Sequence, residues 1–274
     1  MKYTNNIKSI AIGSFDGMHI AHNILSNKVE ALVIIERNGG YLTSGYKRVN
    51  FTSKICYFYH FDVIKNLNPE EFIRKLQTDF PCLEKIVVGY DFAFGKDKSG
   101  DANSLQKLFC GSVEVVQEVS VYDVSVHSRT IKTYLSDGDI NMANRLLGRT
   151  YTIDGKVIRG QGIGKKELVP TLNLCIKEYQ LPLEGVYATR TKIKDVWLDS
   201  VSFIGHRETT DNSFSVESYV IDKDLGNISD DVSLQFVEFI RVNHKFENLE
   251  ELKKQISIDI QNAKDILCQN DSLK

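Results

Sequence analysis

The chain has 274 residues, 42% of them hydrophobic, with a formal charge of -2 and an isoelectric point near 6.3. That length supports two modest domains, each with its own core, and the near-neutral balance excludes a global electrostatic pull toward nucleic acid or an anionic membrane. Five scattered cysteines, never in C-x-x-C spacing, argue against a disulfide framework or a zinc site, and no stretch approaches the roughly 18 apolar residues of a membrane span.

The opening MKYTNNIKSIAIG has no long apolar segment behind its lysine, so an untargeted cytoplasmic protein with free thiols is expected, with neither nucleic acid nor membrane as partner. Short β-type runs then alternate with helical patterns: IKSIAI, HNILSNKV, EALVII, KICYFY, NPEEFIRKL, KIVVG, ANSLQKLF and SVEVVQEV. Such alternation predicts a mostly parallel sheet covered by helices, an α/β domain. The helix at NPEEFIRKL has clear start chemistry, with Asn68 as N-cap, Pro69 in the first turn and Glu70 and Glu71 near the positive end of the dipole. A second well-marked helix, DINMANRLLG, runs from a capping Asp139 to a terminating Gly148. Beyond it the pattern becomes strand after strand, through EGVYATRTKI, VWLDSVSFIG, FSVESYVID and VSLQFVEFIRV. Helix returns in NLEELKKQISIDIQNAKDIL, where Leu249, Leu252, Ile256, Ile260, Ala263 and Leu267 form one apolar stripe. A β-barrel or sandwich closed by a C-terminal helix is expected, with domains at 1–147 and 148–274.

In a parallel sheet, ligands sit beyond the carboxyl ends of the strands. GSFDGMHIAH, residues 13–22, occupies that position after the first strand, and Gly13 and Gly17 allow close backbone approach to a ligand. Taken alone, His19 and His22 are equally open to reading as a metal pair, as ordinary surface or core residues, or as phosphate partners. The stretch resembles the G-x-F-D-x-x-H-x-G-H pattern of the nucleotidyltransferase superfamily, with Ala21 in place of a glycine. VVGYDFAFGKDKSGD, residues 87–101, is similar to the VVGxDFxFGxxRxGD segment of the bacterial bifunctional riboflavin kinase/FMN adenylyltransferases, matching at Gly89, Asp91, Phe92, Phe94, Gly95, Gly100 and Asp101. The resemblance implies that His19 and His22 stabilise charge on the phosphates during adenylyl transfer. It also implies a nucleotide and flavin site that includes Gly13, Ser14, Phe15, Asp16, Gly17, Asp91, Phe92 and Phe94. Two departures stand beside it. The family's I-S-S-T-x-I-R is VHSRTIK here, residues 126–132, so that Ser128, Arg129 and Lys132 carry the expected contacts with Lys132 lacking the fork of a guanidinium. IIERNGG stands where the family has F-x-P-H-P.

The glycine cluster GQGIGKK does not meet the P-loop spacing, because Lys165 is followed by Lys166, and it does not open a helix after a strand. From Gly148 onward the chain resembles the riboflavin kinase module, LGRxYxxxGxVxxGxxxGrxxxxPTxN, with Leu168 and Leu172 as departures. The resemblance implies that Gly155, Gly160, Gly164 and Lys165 lie over ATP and that Thr171 and Asn173 hold Mg2+, an ion suited to oxygen ligands. It further implies Glu217 as the general base, and Gly185, Tyr187 and Arg241 as the flavin side, the last in FIRVNHKFENLEELKKQISID. The apolar stripe of the last helix is expected to be core packing.

The function implied is flavin cofactor synthesis. Riboflavin and ATP would give FMN in the second domain, and FMN and a second ATP would give FAD and pyrophosphate in the first. Two alternatives remain at this point: riboflavin kinase alone beside a degenerate transferase domain, and a non-enzymatic flavin or nucleotide sensor.

Overall fold

The computed structural model describes residues 5–37, 39, 41–158, 169–207, 212–226, 228 and 231–271, and its contacts divide the chain into two compact units, residues 1–128 and 129–274. The first unit begins with strand β1 (Ser9–Gly13), helix α1 (Ile20–Ser26), β2 (Ala31–Glu36), β3 (Ile55–His60), the single-turn α2 (Phe61–Ile64), α3 (Pro69–Asp79) and β4 (Lys85–Gly89). It continues with the short pair β5 (Ala93–Phe94) and β6 (Gly100–Asp101), α4 (Ala102–Leu108), β7 (Ser112–Val116), and a second short pair, β8 (Ser120–Val121) and β9 (Val124–Ser125). Five strands pair in parallel in the order β3-β2-β1-β4-β7.

The period of two in the central strands builds both faces of this sheet. Ile10, Ile12, Ala31, Val33, Ile86 and Val88 point to one side and pack with Phe72, Ile73 and Leu76 of α3 and Leu105 of α4. Their neighbours Ala11, Leu32, Ile34 and Val87 point to the other and meet Phe15, Met18 and Leu25. α3 starts as its sequence predicts. Asn68 accepts the Glu71 backbone N–H at 2.8 Å and its own N–H donates to the Glu71 carboxylate at 2.9 Å, a reciprocal cap.

The second unit carries α5 (Ser128–Ser136), α6 (Ile140–Leu147), and strands β10 (Tyr151–Ile158), β11 (Leu172–Ile176), β12 (Gly185–Ile193), β13 (Val196–His206), β14 (Phe214–Val220) and β15 (Asp231–Val242), followed by α7 (Leu249–Asp271). The six strands close into a barrel in the order β10-β11-β14-β13-β12-β15, and all of its pairings are antiparallel. Of the barrel and the sandwich, the sequence forms the barrel. α6 is capped by Asp139, which accepts the Met142 N–H at 2.9 Å, and stops at Gly148 with φ of 72°. Asn144 of α6 donates to the Phe236 carbonyl of β15 and accepts the Tyr151 N–H of β10. α6 therefore packs with the barrel. The contact division lies at 128/129, and the change from helix to strand at 147/148 falls inside the second unit.

Along β12, Val186 and Ala188 face α7 in a cluster with Val237, Ala263 and Leu267. The alternate residues Tyr187, Thr189 and Thr191 are fully buried inside the barrel. There Tyr187 meets Phe236 and Phe239 edge-on, and Thr189, Thr191, Ser200, Ser202 and Ser218 form an unbroken row of hydroxyl contacts of 2.7–2.9 Å. Of the apolar stripe on α7, only the second half is core: Ala263 and Leu267 are fully buried, whereas Leu249 is 36% exposed. No helix among the described residues is long and apolar enough to cross a membrane.

Candidate active sites

The turn after β1 is forced into an unusual path. Phe15, Gly17 and Met18 take φ of 49°, 86° and 42°, and the two non-glycine residues are held there because their side chains are buried in the sheet's core. The result presents the histidines in a fixed geometry. His19 caps α1, its Nδ1 accepting the His22 N–H at 3.4 Å, which assigns the proton of the neutral ring to Nε2. The His19 and His22 rings stack at 3.5 Å with 16° between their planes, and Phe15 lies 5.1 Å from His22. Ser14 is exposed at the tip of the turn, and Gly13 closes β1.

Asp16 has a structural task. Its carboxylate Oδ1 accepts the backbone N–H groups of Leu42 and Thr43 at 2.8 and 3.1 Å, with all three residues buried. Its carbonyl accepts the Ser128 hydroxyl at 2.7 Å. The Asp16 side chain thus ties the β1 turn to the chain following β2. That second segment is anchored in turn by Arg48, fully buried, whose Nη1 meets Glu36 at 2.7 Å and whose guanidinium lies over Tyr41.

Much of the 87–101 motif is likewise spent on the fold. Phe94 is buried against Phe72, and Phe92 stacks on Phe94 at 5.5 Å. Gly100 leaves room for that ring, since a Cβ there would lie 2.7 Å from it. Asp101 caps α4 through the Ser104 N–H at 2.8 Å. Asp91 is different, with a side chain 63% exposed and 4.0 Å from His127 Nδ1. Around His127 stand two residues that the sequence reading missed. The Tyr90 hydroxyl lies 3.0 Å from His127 Nε2 and donates to Glu118 at 3.1 Å. The Ser125 and Tyr90 hydroxyls hold the Glu118 carboxyl below the usual carboxylate range. Arg129 and Lys132 lie on the first two turns of α5, Arg129 exposed and Lys132 partly so.

In the second unit, β11 and β14 share a short pairing in which Asn173 sits opposite Glu217. Because Leu172 and Ser218 point inward, Asn173 and Glu217 point outward, and Thr171 joins them. The Thr171 hydroxyl donates to Glu217 Oε2 at 3.0 Å. Glu217 Oε1 accepts from Arg207 Nε at 2.6 Å and from the Ser215 hydroxyl at 3.1 Å. Arg207 also donates from Nη2 to Asn173 Oδ1 at 2.8 Å. Three residues proposed from sequence are thereby brought into one cluster, together with Arg207 and Ser215, which were not singled out. SFIGHRETT resembles the family's xNIGxRPTF and keeps its arginine at Arg207, but that likeness assigned Arg207 no partner, because its contacts are made across strands.

Gly155 lies on β10 beside Ile176 of β11, and a Cβ there would lie 2.4 Å from the Ile176 side chain. Gly160, Gly164 and Lys165 lie outside the described residues. Gly185 lets β12 approach β15, since a Cβ would lie 2.4 Å from the Arg241 carbonyl. Tyr187, sequestered in the barrel, donates its hydroxyl to the Leu183 carbonyl, and burial pushes its ionisation far upward. Its ring is engaged in core packing and has no exposed face. Arg241 is held by Asp259 through Nε and Nη2 at 2.9 and 2.8 Å, while its Nη1 lies 3.2 Å from His244 Nδ1. Beyond His244 lies a shallow, open surface depression lined by His244, Phe246, Glu251, Lys254, Gln255 and Ile258 among others.

Comparison with known proteins adds independent information. The riboflavin kinase family model matches residues 147–267 and the FAD synthetase model matches residues 48–130. A bifunctional riboflavin kinase/FMN adenylyltransferase from Buchnera aphidicola is 27% identical across 95% of this chain and 93% of its own. A protein of the same description from Pseudomonas fluorescens is 31% identical across 73% of this chain and 66% of its own, and another from Mycoplasma pneumoniae is 28% identical across 93% and 96%. A solved structure described as a macrolide-efflux protein from Streptococcus pneumoniae superposes with a TM-score of 0.82 over 96% of this chain and 97% of that one, at 21% identity, which shows a shared fold. Two family models in sequence along one polypeptide, and relatives aligned over nearly its whole length, lead to one conclusion: the chain belongs to the bifunctional riboflavin kinase/FMN adenylyltransferase family.

Proposed function

We infer that the chain makes FMN from riboflavin and ATP on its barrel and FAD from FMN and ATP on its parallel sheet. The observation that carries the first half is the convergence of Thr171, Asn173 and Glu217 on one outward face of β11 and β14. In the phosphorylation, the ribityl 5′-hydroxyl oxygen bonds to the γ-phosphorus of ATP, the bond to the β-bridging oxygen breaks, and ADP leaves with that electron pair. Glu217 takes the hydroxyl proton, a role typically worth about 10²–10⁴ in rate. Positioning supplies much of the remainder, as is usual for phosphoryl transfer. The donors at this face are a hydroxyl, an amide oxygen and a carboxylate, all hard oxygens, which suits Mg2+ held by Thr171 and Asn173. Bound there, the ion would offset negative charge on the transferring phosphate. In this reading Gly155, Gly160, Gly164 and Lys165 cover the nucleotide, and Arg241 holds the flavin side.

For adenylyl transfer, an FMN phosphate oxygen attacks the α-phosphorus of ATP and pyrophosphate departs. His19 and His22, stacked and fixed by the β1 turn, donate toward the charge that develops there. Asp91 and Ser128 are assigned to the same nucleotide and flavin contacts. The test is direct: the purified chain is incubated with riboflavin, ATP and Mg2+ and the flavins are separated. FMN followed by FAD is expected. FMN without FAD would reduce the activity to the kinase, and neither product would leave a binding protein. His19→Ala should slow FAD formation and spare FMN formation, whereas Glu217→Gln should do the reverse when FMN is supplied.

A further inference from the structure

We propose that Arg207 is the positioning residue of the kinase site, fixing the Glu217 carboxylate so that Oε2 is the oxygen that takes the proton from the ribityl hydroxyl. The inference rests on the reading of Glu217 as the general base. A carboxylate offers about four lone pairs over its two oxygens. On Oε1 both are filled, by Arg207 Nε at 2.6 Å and by the Ser215 hydroxyl at 3.1 Å. Oε2 accepts one donor among the described residues, the Thr171 hydroxyl at 3.0 Å. One lone pair therefore remains, and it is on Oε2.

The guanidinium does more than fill Oε1. Its three nitrogens reach three different residues: Nε meets Glu217, Nη2 meets Asn173 Oδ1 at 2.8 Å, and Nη1 meets the Ser213 hydroxyl at 3.2 Å. Asn173 and Glu217 face each other from β11 and β14, whereas Arg207 follows the end of β13 and its backbone N–H donates to the Ser213 carbonyl at 3.0 Å. One rigid planar group thus locks together side chains from three neighbouring segments of the barrel wall. The arginine is mostly buried, with a side chain 19% exposed, and so is Glu217 at 21%, so water competes poorly for these contacts. A lysine offers one ammonium on a flexible stem and cannot span the same three directions.

In the step itself, the proton leaves the ribityl hydroxyl for Oε2, the freed oxygen pair forms the bond to the γ-phosphorus, and the departing ADP keeps the electrons of the broken P–O bond. Arg207 is assigned to act through the side chains it orients, Glu217 and Asn173, rather than on a reactant.

The experiment measures steady-state FMN formation by the full chain. Arg207→Ala should lower kcat about 100-fold, the scale of a small misplacement of a catalytic group, with KM for riboflavin and for ATP within about twofold of wild type on the same reasoning. Added guanidinium ion should restore a measurable part of kcat to Arg207→Ala, whereas methylammonium should not, and Arg207→Lys should remain close to Arg207→Ala. The calorimetric transition of the barrel unit in the same preparations should be unchanged, which reports an intact fold around Arg207. Wild-type kcat in Arg207→Ala, a loss confined to KM, or a loss that guanidinium leaves untouched would each overturn the assignment. Glu217→Gln run in parallel separates the two levels. If it forms FMN normally, the reading of the base fails; if it is inactive while Arg207→Ala is normal, only the role of Arg207 fails.

Discussion

Replacing Glu36 by glutamine strips the charge from the partner of a buried arginine while keeping its volume. Arg48 lies at the centre of the 41–51 segment with its side chain 1% exposed, 2.7 Å from Glu36, whose own side chain is 14% exposed. Its other contacts are a long bond to the Gly45 carbonyl at 3.4 Å and the face of Tyr41, and its Nε has no hydrogen-bond partner among the described residues. Among the described residues, no second carboxylate meets Arg48. Removing one member of a buried ion pair typically costs about 3–5 kcal/mol. Glutamine can still accept one hydrogen bond, so the low end, about 3 kcal/mol, is expected. For a unit spanning Met1–Ser128, about 2.1 cal/mol/K per residue makes each kcal/mol worth about 4 °C, so a fall of about 11 °C in its melting temperature is expected. Calorimetry on the full chain should show the transition of the first unit moving while that of the barrel stays. Replacing both residues, Glu36→Met with Arg48→Met, should cost less than Glu36→Gln alone, because no charge is then stranded. A Glu36→Gln protein that melts within 2 °C of wild type, on the same scale of a few degrees per kcal/mol, would refute the view that this pair anchors the segment.

Three further outcomes are expected. Asp16→Ala leaves the buried Leu42 and Thr43 N–H groups without their acceptor and should destabilise the first unit by about 2–4 kcal/mol in urea unfolding, at about 1–2 kcal/mol per group; lost FAD formation with unchanged stability would make Asp16 a ligand instead. Gly185→Ala drives a Cβ to 2.4 Å from the Arg241 backbone carbonyl, and thermal unfolding should show a loss of about 1–3 kcal/mol. The lowered Glu118 ionisation means that this carboxylate favours the folded state at neutral pH, an effect lost as pH falls through its folded pKa. Ser125→Ala should move the Glu118 titration upward when followed by NMR of the side-chain carboxyl carbon, and an unmoved titration would exclude the serine as its main cause.

What could be read from the sequence was whatever depends on local pattern. The caps at Asn68 and Asp139, the left-handed stop at Gly148 and the alternation that makes a parallel sheet are determined within a few residues, and each appears in the structure. Motif matching also reached Thr171, Asn173 and Glu217, although they are held together across strands. The likeness covered Arg207, Arg241 and Asp259 as well, but which of them meet which side chains remained hidden. Arg207 reaches Glu217 only because β13 and β14 pair, and Arg241 turns out to be clamped by Asp259, 18 residues further along and on the last helix. Motif residues also had to be sorted by the fold. Phe94, Gly100 and Asp101 serve ring packing and a helix cap, tasks that the matched pattern alone could not distinguish from ligand contact. The stripe on α7 was half right: Ala263 and Leu267 join the core cluster, whereas Leu249 is exposed.

The alternation along β14 places Ser215 and Glu217 on one side of the barrel wall and Val216 and Ser218 on the other, so chemistry and core are interleaved on a single strand. A slip of one residue in its pairing with β11, which comprises just Leu172 with Ser218 and Asn173 with Glu217, would turn the carboxylate inward and a valine out. With Glu217 as the proposed base, molecules misthreaded in this way should make no FMN. FMN production therefore doubles as a count of correctly closed barrels, and a refolding experiment can be scored by its own product.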